Sequence, residues 1–249
     1  MRDRRAVHRA SRPRGEDRGD REVWPEFLHH SVGAAGTYWR NLREEFPDFQ
    51  LLLYDDETDT LLGRGQTVPF RWNGRRNDLP DGVEGVMQRV FDGDGGEPTT
   101  LSALVAIVDP RHQGRGLSQL IIGGMCAVAA RSGLSALVAP VRPTLKSRYP
   151  LTPFERYVTW RRPDREPFDP WLRVHERMGA KVVQVCPGSL ICEGAVAEWE
   201  EWTGMAFPDS GPYAVEGALV PVEIDQERNL GRYVEPNLWM RHPVQRPGV

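Results

Sequence analysis

The chain is poor in several features that readily fix a protein's class. Its 249 residues include only three cysteines, Cys126, Cys186 and Cys192. They are odd in number and sit in no Cys-x-x-Cys or His/Cys spacing. Neither a disulfide framework nor a zinc site is expected, and no metal is assigned. No run of 18 or more apolar residues occurs, so no membrane partner is expected. The Arg-rich N-terminus has no apolar segment of the kind a secretory signal needs, and reduced thiols in a cytoplasmic protein are the plain reading. Lysine is almost missing: Lys146 and Lys181 stand alone among arginines, a compositional habit to which no function attaches. Internal repeats and low-complexity tracts are absent as well. With 39% hydrophobic residues the chain is too apolar for general disorder.

The net charge of −3 hides two unlike parts. Of 32 basic and 35 acidic residues, 8 and 5 fall in residues 1–22, leaving 24 and 30 for the remainder. A basic, nearly apolar-free extension at 1–22, expected to be disordered, precedes an acidic body. That balance argues against nucleic acid as a partner, because a nucleic-acid footprint is a basic face. It suits a small-molecule enzyme whose second substrate is neutral or cationic.

Order is expected from Val23-Trp24-Pro25 onward. Residues 37–45 read as a short helix. Phe49–Tyr54 and Leu61–Phe70 flank turn chemistry and read as a hairpin, with Pro69 ending or bulging its second strand. Val83–Phe91 is a short helix. Thr100–Val108 is nearly all apolar, as a strand covered on both faces must be. Gly116–Ala130 carries a wide apolar stripe and ends toward Gly133, placed as its cap. Leu134–Val141 is a second buried strand, ended by Pro140 and Pro143. Strand, helix and parallel strand form a right-handed crossover. Residues 142–168, rich in Pro, Arg and aromatics, read as a long irregular insertion. Asp169-Pro170 opens a helix over Trp171–Met178 that stops at Gly179. Ala180–Cys186 and Ser189–Cys192 read as strand pieces around Pro187-Gly188, Ala195–Trp202 as a helix, and Leu219–Ile224 and Arg232–Trp239 as the last strands.

The informative segment is Asp109-Pro110-Arg111-His112-Gln113-Gly114-Arg115-Gly116-Leu117-Ser118, where a buried strand turns into a helix. Gly114 and Gly116 let backbone approach a ligand closely. The first amides of the helix lack intrahelical acceptors, and the helix dipole adds to them, so the turn suits a pyrophosphate. Arg111 and Arg115 can add charge-assisted contacts. A Walker loop needs a Lys, and none is near; a dinucleotide fingerprint needs a third glycine where Gln119 stands.

What the segment matches is Arg/Gln-x-x-Gly-x-Gly/Ala, here Arg111-x-x-Gly114-x-Gly116, and it resembles the coenzyme A loop of the GNAT acetyltransferase superfamily. The resemblance is clear over 100–141, fair over 169–186 and weak elsewhere. It implies an α/β fold of the α+β type: a mixed, splayed central sheet flanked by helices, as one domain over 23–249 with the 142–168 insertion and an enlarged C-terminal lobe. It implies acetyl-CoA, or another short acyl-CoA, between two diverging strands. The backbone of Ile107 and Val108 would bond the acyl arm, and the amides of Gln113, Gly114, Arg115, Gly116, Leu117 and Ser118 would hold the pyrophosphate. The activity implied is direct acyl transfer to a small-molecule amine in a ternary complex.

Family members often carry a Tyr in Tyr-x-x-x-Gly-Phe as the acid for the departing thiolate. Here His175-Glu176-Arg177-Met178-Gly179-Ala180 stands in its place, so His175 is the candidate acid, with packing against Trp171 as the alternative. The family's strand Glu, a common base, has no counterpart in Thr99–Ala103. Asp109 reads as a turn former. Glu223, Asp225, Tyr233 and Glu235 could face the acceptor, and a water relay serves equally. Other readings of the same loop are a CoA-binding sensor without catalysis, acylation of a protein or peptide amine, and acylation of a hydrazine or hydroxylamine nitrogen. Monomer and homodimer both stay open. Trp199 and Trp202 read as core. Tyr149, Phe154, Tyr157 and Trp160 either wall an acceptor pocket or pin the insertion. His29, His30 and His242 read as surface or satisfied histidines, and the three cysteines as buried hydrophobes.

Overall fold

The computed structural model describes residues 5–9, 23–93 and 96–245, the first of these by its backbone alone. Nine strands of the described residues share one sheet: β1 (Arg5–Arg9), β2 (Gln50–Asp55), β3 (Thr60–Phe70), β4 (Thr100–Val108), β5 (Leu137–Val141), β6 (Lys181–Gly194), β7 (Gly211–Tyr213), β8 (Val222–Asp225) and β9 (Leu230–His242). The order is β1-β2-β3-β4-β5-β9-β8-β7, with β6 along the other edge of β9. Only β4 and β5 are parallel; every other pairing is antiparallel. The extension expected to be disordered lies mostly outside the described residues, but Arg5–Arg9 departs from that expectation by pairing with β2.

Helices cover both faces. α1 (Ala34–Tyr38), α2 (Leu42–Glu45) and α3 (Gly82–Phe91) bury Ala35, Leu42, Val83, Val86 and Met87 against Val68, Phe70 and Trp239 of the sheet. On the opposite face α4 (Leu117–Arg131) sets Leu117, Ile121, Ile122 and Met125 against Leu51, Leu53 and Leu101. Such a strand–helix–strand crossover keeps β4 and β5 apolar on both sides, as read from the sequence. The insertion holds the one-turn α5 (Phe154–Tyr157). It is followed by α6 (Pro170–Arg177), which adds Trp171 and Val174 to the α4 side. Around the far end of β9, α7 (Val196–Thr203) and β8 enclose Phe27, Trp199, Phe207 and Tyr233.

Three strand readings are corrected. Pro69 does not end β3, which continues to Phe70. The two pieces around Pro187-Gly188 are one strand, β6, with a register shift between Cys186 and Leu190. Pro140 does not end β5 but lies inside it. The reason is the edge it faces. The Leu101 amide donates to the Ala136 carbonyl, so by the parallel alternation the next β5 amides turned to β4 belong to residues 138 and 140. Residue 140 is proline and has no N–H. The paired residues run only from Leu101 opposite Leu137 to Ser102 opposite Val138, and beyond them β4 and β5 part.

Candidate acyl-CoA site

The loop after β4 is built as its residues dictate. The Asp109 carboxylate accepts from the Arg111 amide at 2.9 Å and caps a short 3-10 turn over Pro110–His112, which bears out its turn-forming role. Gly114 (φ 78°) and Gly116 (φ 74°) are both left-handed, and Gly116 is the N-cap of α4. At neither glycine would a Cβ meet another atom within 4 Å, so open space lies over the turn. No hydrogen bond among the described residues takes the amides of Gly114 through Ser118; the Gln113 amide, expected to join them, donates instead to the Pro110 carbonyl at 3.5 Å. This is the cradle of amides and space that a pyrophosphate requires.

The two arginines of the loop are placed differently. Arg111 lays its guanidinium on Asp109, Nε to Oδ1 at 3.0 Å and an Nη to Oδ2 at 2.6 Å. That contact holds the Asp109 carboxyl down at about 2. Arg115 is exposed on the turn itself. The Gln113 side chain donates to the Val108 carbonyl at 3.4 Å.

Where β4 and β5 part, a cleft opens. Ala103, Leu104, Val105 and Ala106 form one wall, Ala139 through Arg142 the other, and Ile122, Met125, Trp171, His175 and His242 close it, with Trp24 at its edge. β4 is bulged here: Gln66 pairs with Val105 and Thr67 with Ala103, so Leu104 has no partner on β3. A bulge re-aims backbone groups next to a site. The Asp109 amide donates to Leu62, so by antiparallel alternation Ile107 and Val105 are bonded to β3, while Ala106 and Val108 turn their backbone to the open edge. Of the two residues expected to bond the acyl arm, Val108 therefore faces the opening. Ile107 does not.

His175 lies in the cleft wall, buried, with the Trp171 ring edge-on at 4.5 Å. Its Nδ1 is 2.8 Å from Nε2 of His242, itself buried at the end of β9. Of the reading of His242 as a surface or satisfied histidine, the surface half is corrected: it is buried, with Nε2 satisfied by His175. A partner 67 residues away in sequence carries no local signal, and its Nδ1 has no hydrogen-bond partner among the described residues. Burial, with His242 beside it, pushes the His175 imidazole down to about 3; burial alone pushes His242 to about 4. Both rings are neutral at pH 7, so His175 can act as a neutral N–H donor, not as an imidazolium.

Opposite β4, Arg142 donates to Glu235 at 2.9 Å and to the Gly217 carbonyl at 2.6 Å. Glu235 also accepts from Tyr233 at 2.9 Å and Asn237 at 3.3 Å, so both of its oxygens carry hydrogen bonds. Glu223 is exposed on β8, and Asp225 accepts from the Arg228 amide in a surface turn. The aromatics of the insertion, Tyr149, Tyr157 and Trp160, pack on one another and on Phe168 at 5.1 to 6.1 Å between ring centroids. They pin the loop, and none lines the cleft. Burial raises the thiols of Cys126 and Cys186 to about 11 and that of Cys192 further; Cys186 and Cys192 are buried as read from the sequence, whereas Cys126 is half-buried. No group of three or more His, Cys, Asp or Glu that could hold a metal exists among the described residues, and no helix among them is long and apolar enough to cross a membrane.

A splayed mixed sheet with an amide-lined turn at its opening defines an acyltransferase fold, and the comparisons agree. The arginine N-acetyltransferase avaD of Aspergillus versicolor is 33% identical over 251 residues, covering 89% of this chain and 86% of that protein. The loading GNATL domain of CurA from Lyngbya majuscula superposes with a TM-score of 0.58 at 15% identity, covering 97% of this chain and 98% of that one. The GphF GNAT-like decarboxylase in complex with isobutyryl-CoA gives 0.52 at 14% identity, over 89% and 93%. No family model matches the chain. The chain belongs to the GNAT acetyltransferase family, as its loop suggested. It is an acyl-CoA-dependent N-acyltransferase.

Proposed function

We propose that the protein transfers an acetyl group from acetyl-CoA to a nitrogen of arginine or a small arginine derivative. The acceptor rests on the 33% identical arginine N-acetyltransferase and is consistent with the acidic body of the chain. The donor site rests on one observation above others: the unpaired amides of Gly114 through Ser118 lie beneath open space. In this reading those amides and Arg115 hold the pyrophosphate. Arg111 stays folded on Asp109 and shapes the turn, and Gln113 braces the end of β4. The pantetheine arm runs along the free edge of β4 at Ala106 and Val108, and the thioester reaches the bulge at Leu104.

The acceptor nitrogen forms a bond to the thioester carbon, the C–S bond breaks, and the proton lost from nitrogen ends on the thiol. His175, neutral, donates an Nε2–H hydrogen bond to the departing sulfur. No carboxylate of β8 or β9 lines the cleft, so in this reading the acceptor proton leaves through water. The expected outcome with purified protein and acetyl-CoA is thiol release that depends on arginine and yields acetylarginine by mass spectrometry. Lysine and ornithine are expected to be poor acceptors; equal turnover with them would overturn the acceptor assignment. Arg115→Glu places a like charge at the pyrophosphate and is expected to weaken acetyl-CoA about tenfold or more by calorimetry. Unchanged affinity would sink the loop assignment. Tight acetyl-CoA binding with no turnover on any amine would mark a CoA-binding sensor instead.

A further inference from the structure

The paired histidines carry more than the reading of His175 alone. Two neutral imidazoles hold two ring protons on four nitrogens. One proton lies in the 2.8 Å contact between His175 Nδ1 and His242 Nε2. The other sits on one of the two outer nitrogens, His175 Nε2 or His242 Nδ1, both buried and without a partner among the described residues. If His175 donates in the shared bond, its outer nitrogen is a lone pair. If His242 donates, the outer nitrogen of His175 carries the proton. The second ring thus decides whether the first offers the cleft a donor or an acceptor.

The surroundings hold both rings in place. Trp171, one helical turn before His175, packs its ring against the imidazole. The backbone of His242 is registered opposite Leu137 of β5, the residue at which the β4–β5 pairing begins. Among the described residues no acidic side chain lines this cleft, and the Arg142 guanidinium at its wall is bound to Glu235. Among the described residues, the only hydrogen-bond partner of each ring is the other imidazole.

We propose that His242 is a positioning residue for acyl transfer: its Nε2–H donates to His175 Nδ1, which leaves the His175 proton on Nε2 as the hydrogen-bond donor for the acyl-CoA sulfur. The reaction develops an anionic sulfur, an acceptor, so the arrangement with the proton on His175 Nε2 is the productive one. The inference rests on the role given to His175 above and adds a residue that does not touch the reacting atoms.

Long-range 1H–15N spectra of histidine-labelled protein with CoA bound read the tautomers directly. His175 is expected to be protonated at Nε2 and bare at Nδ1; the reverse overturns the proposal, whatever any variant does. In kinetics, His242→Phe is expected to lower kcat about tenfold, the worth of roughly one hydrogen bond, with KM for acetyl-CoA within about twofold. His242→Gln keeps an N–H where Nε2 stood and is expected to restore kcat to within about threefold of the native value. A His242→Phe enzyme with native kcat overturns the proposal. If His175→Phe also retains native kcat, the sulfur-donor role of His175 itself has failed. If only His175→Phe is impaired, that role stands and His242 is a packing residue.

Discussion

Ser189 does at long range what an N-cap residue does locally. Its hydroxyl accepts from the Val83 amide at 3.1 Å, from a position 106 residues later in the chain, and so satisfies the start of α3. Ser189→Ala is expected to lower stability by about 1 kcal/mol, the usual worth of a helix cap, read as a reduced urea midpoint with unchanged m. Gly82→Ala should cost more. Gly82 has φ 53°, and a Cβ there would collide with the Ser189 side chain and backbone. At this scale the left-handed glycines of the loop after β4, Gly114 and Gly116, were legible in the sequence, because such a turn leaves few choices of residue. The mate of His175 was not, because contact between residues 175 and 242 follows from the sheet and from nothing local.

At the scale of elements, α6 depends on one carboxylate. Asp169 Oδ1 accepts from the amides of Trp171 and Leu172 at 2.9 and 3.2 Å, which the Asp-Pro start predicts. Its other oxygen accepts from the Leu145 amide and the Tyr157 hydroxyl, both at 2.8 Å, which no local rule predicts. Asp169→Ala therefore removes a cap and strands two donors. A loss of about 3 kcal/mol or more is expected, seen as a large fall in Tm, with Asp169→Asn milder. Because α6 carries His175, the alanine variant should also lose activity at temperatures where it is still folded. The strands and helices from β4 to β5 were readable from hydrophobic runs and breakers. Pro140 was misread because proline usually ends a strand; here its missing donor falls on the edge that opens. The bulge at Leu104 left no mark in an unbroken apolar run.

For the whole molecule, acid stability follows from the two buried histidines. Both are depressed in the folded protein, to about 3 and about 4, and both regain the ordinary value near 6.5 on unfolding. Between those limits the unfolded chain binds more protons, so their contribution is complete above pH 6.5 and is lost as the pH falls. The urea midpoint is expected to drop from pH 7 to pH 5. A His175→Phe/His242→Phe double variant should show a flatter profile, and an equally steep one would rule the pair out as the source. The carboxyl of Asp109, held near 2, adds its loss only at much lower pH. The acidic body and the single fold class were legible from composition and one loop. The strand order was not, because it depends on pairings made across the whole chain.

The place of β9 in that order has a kinetic consequence. The strand follows every strand it pairs with in the chain, yet it lies between β5 and β6 and also receives β8. While the polypeptide is being made, β5 has an open edge and β6 has no strand beside it until residues 230–242 emerge. The half of the sheet that completes the cleft can therefore assemble only after residues 230–242 have been made, through contacts that close long loops. Folding should be slow for a protein of this size, and the nascent chain exposed to strand-pairing errors until β9 arrives.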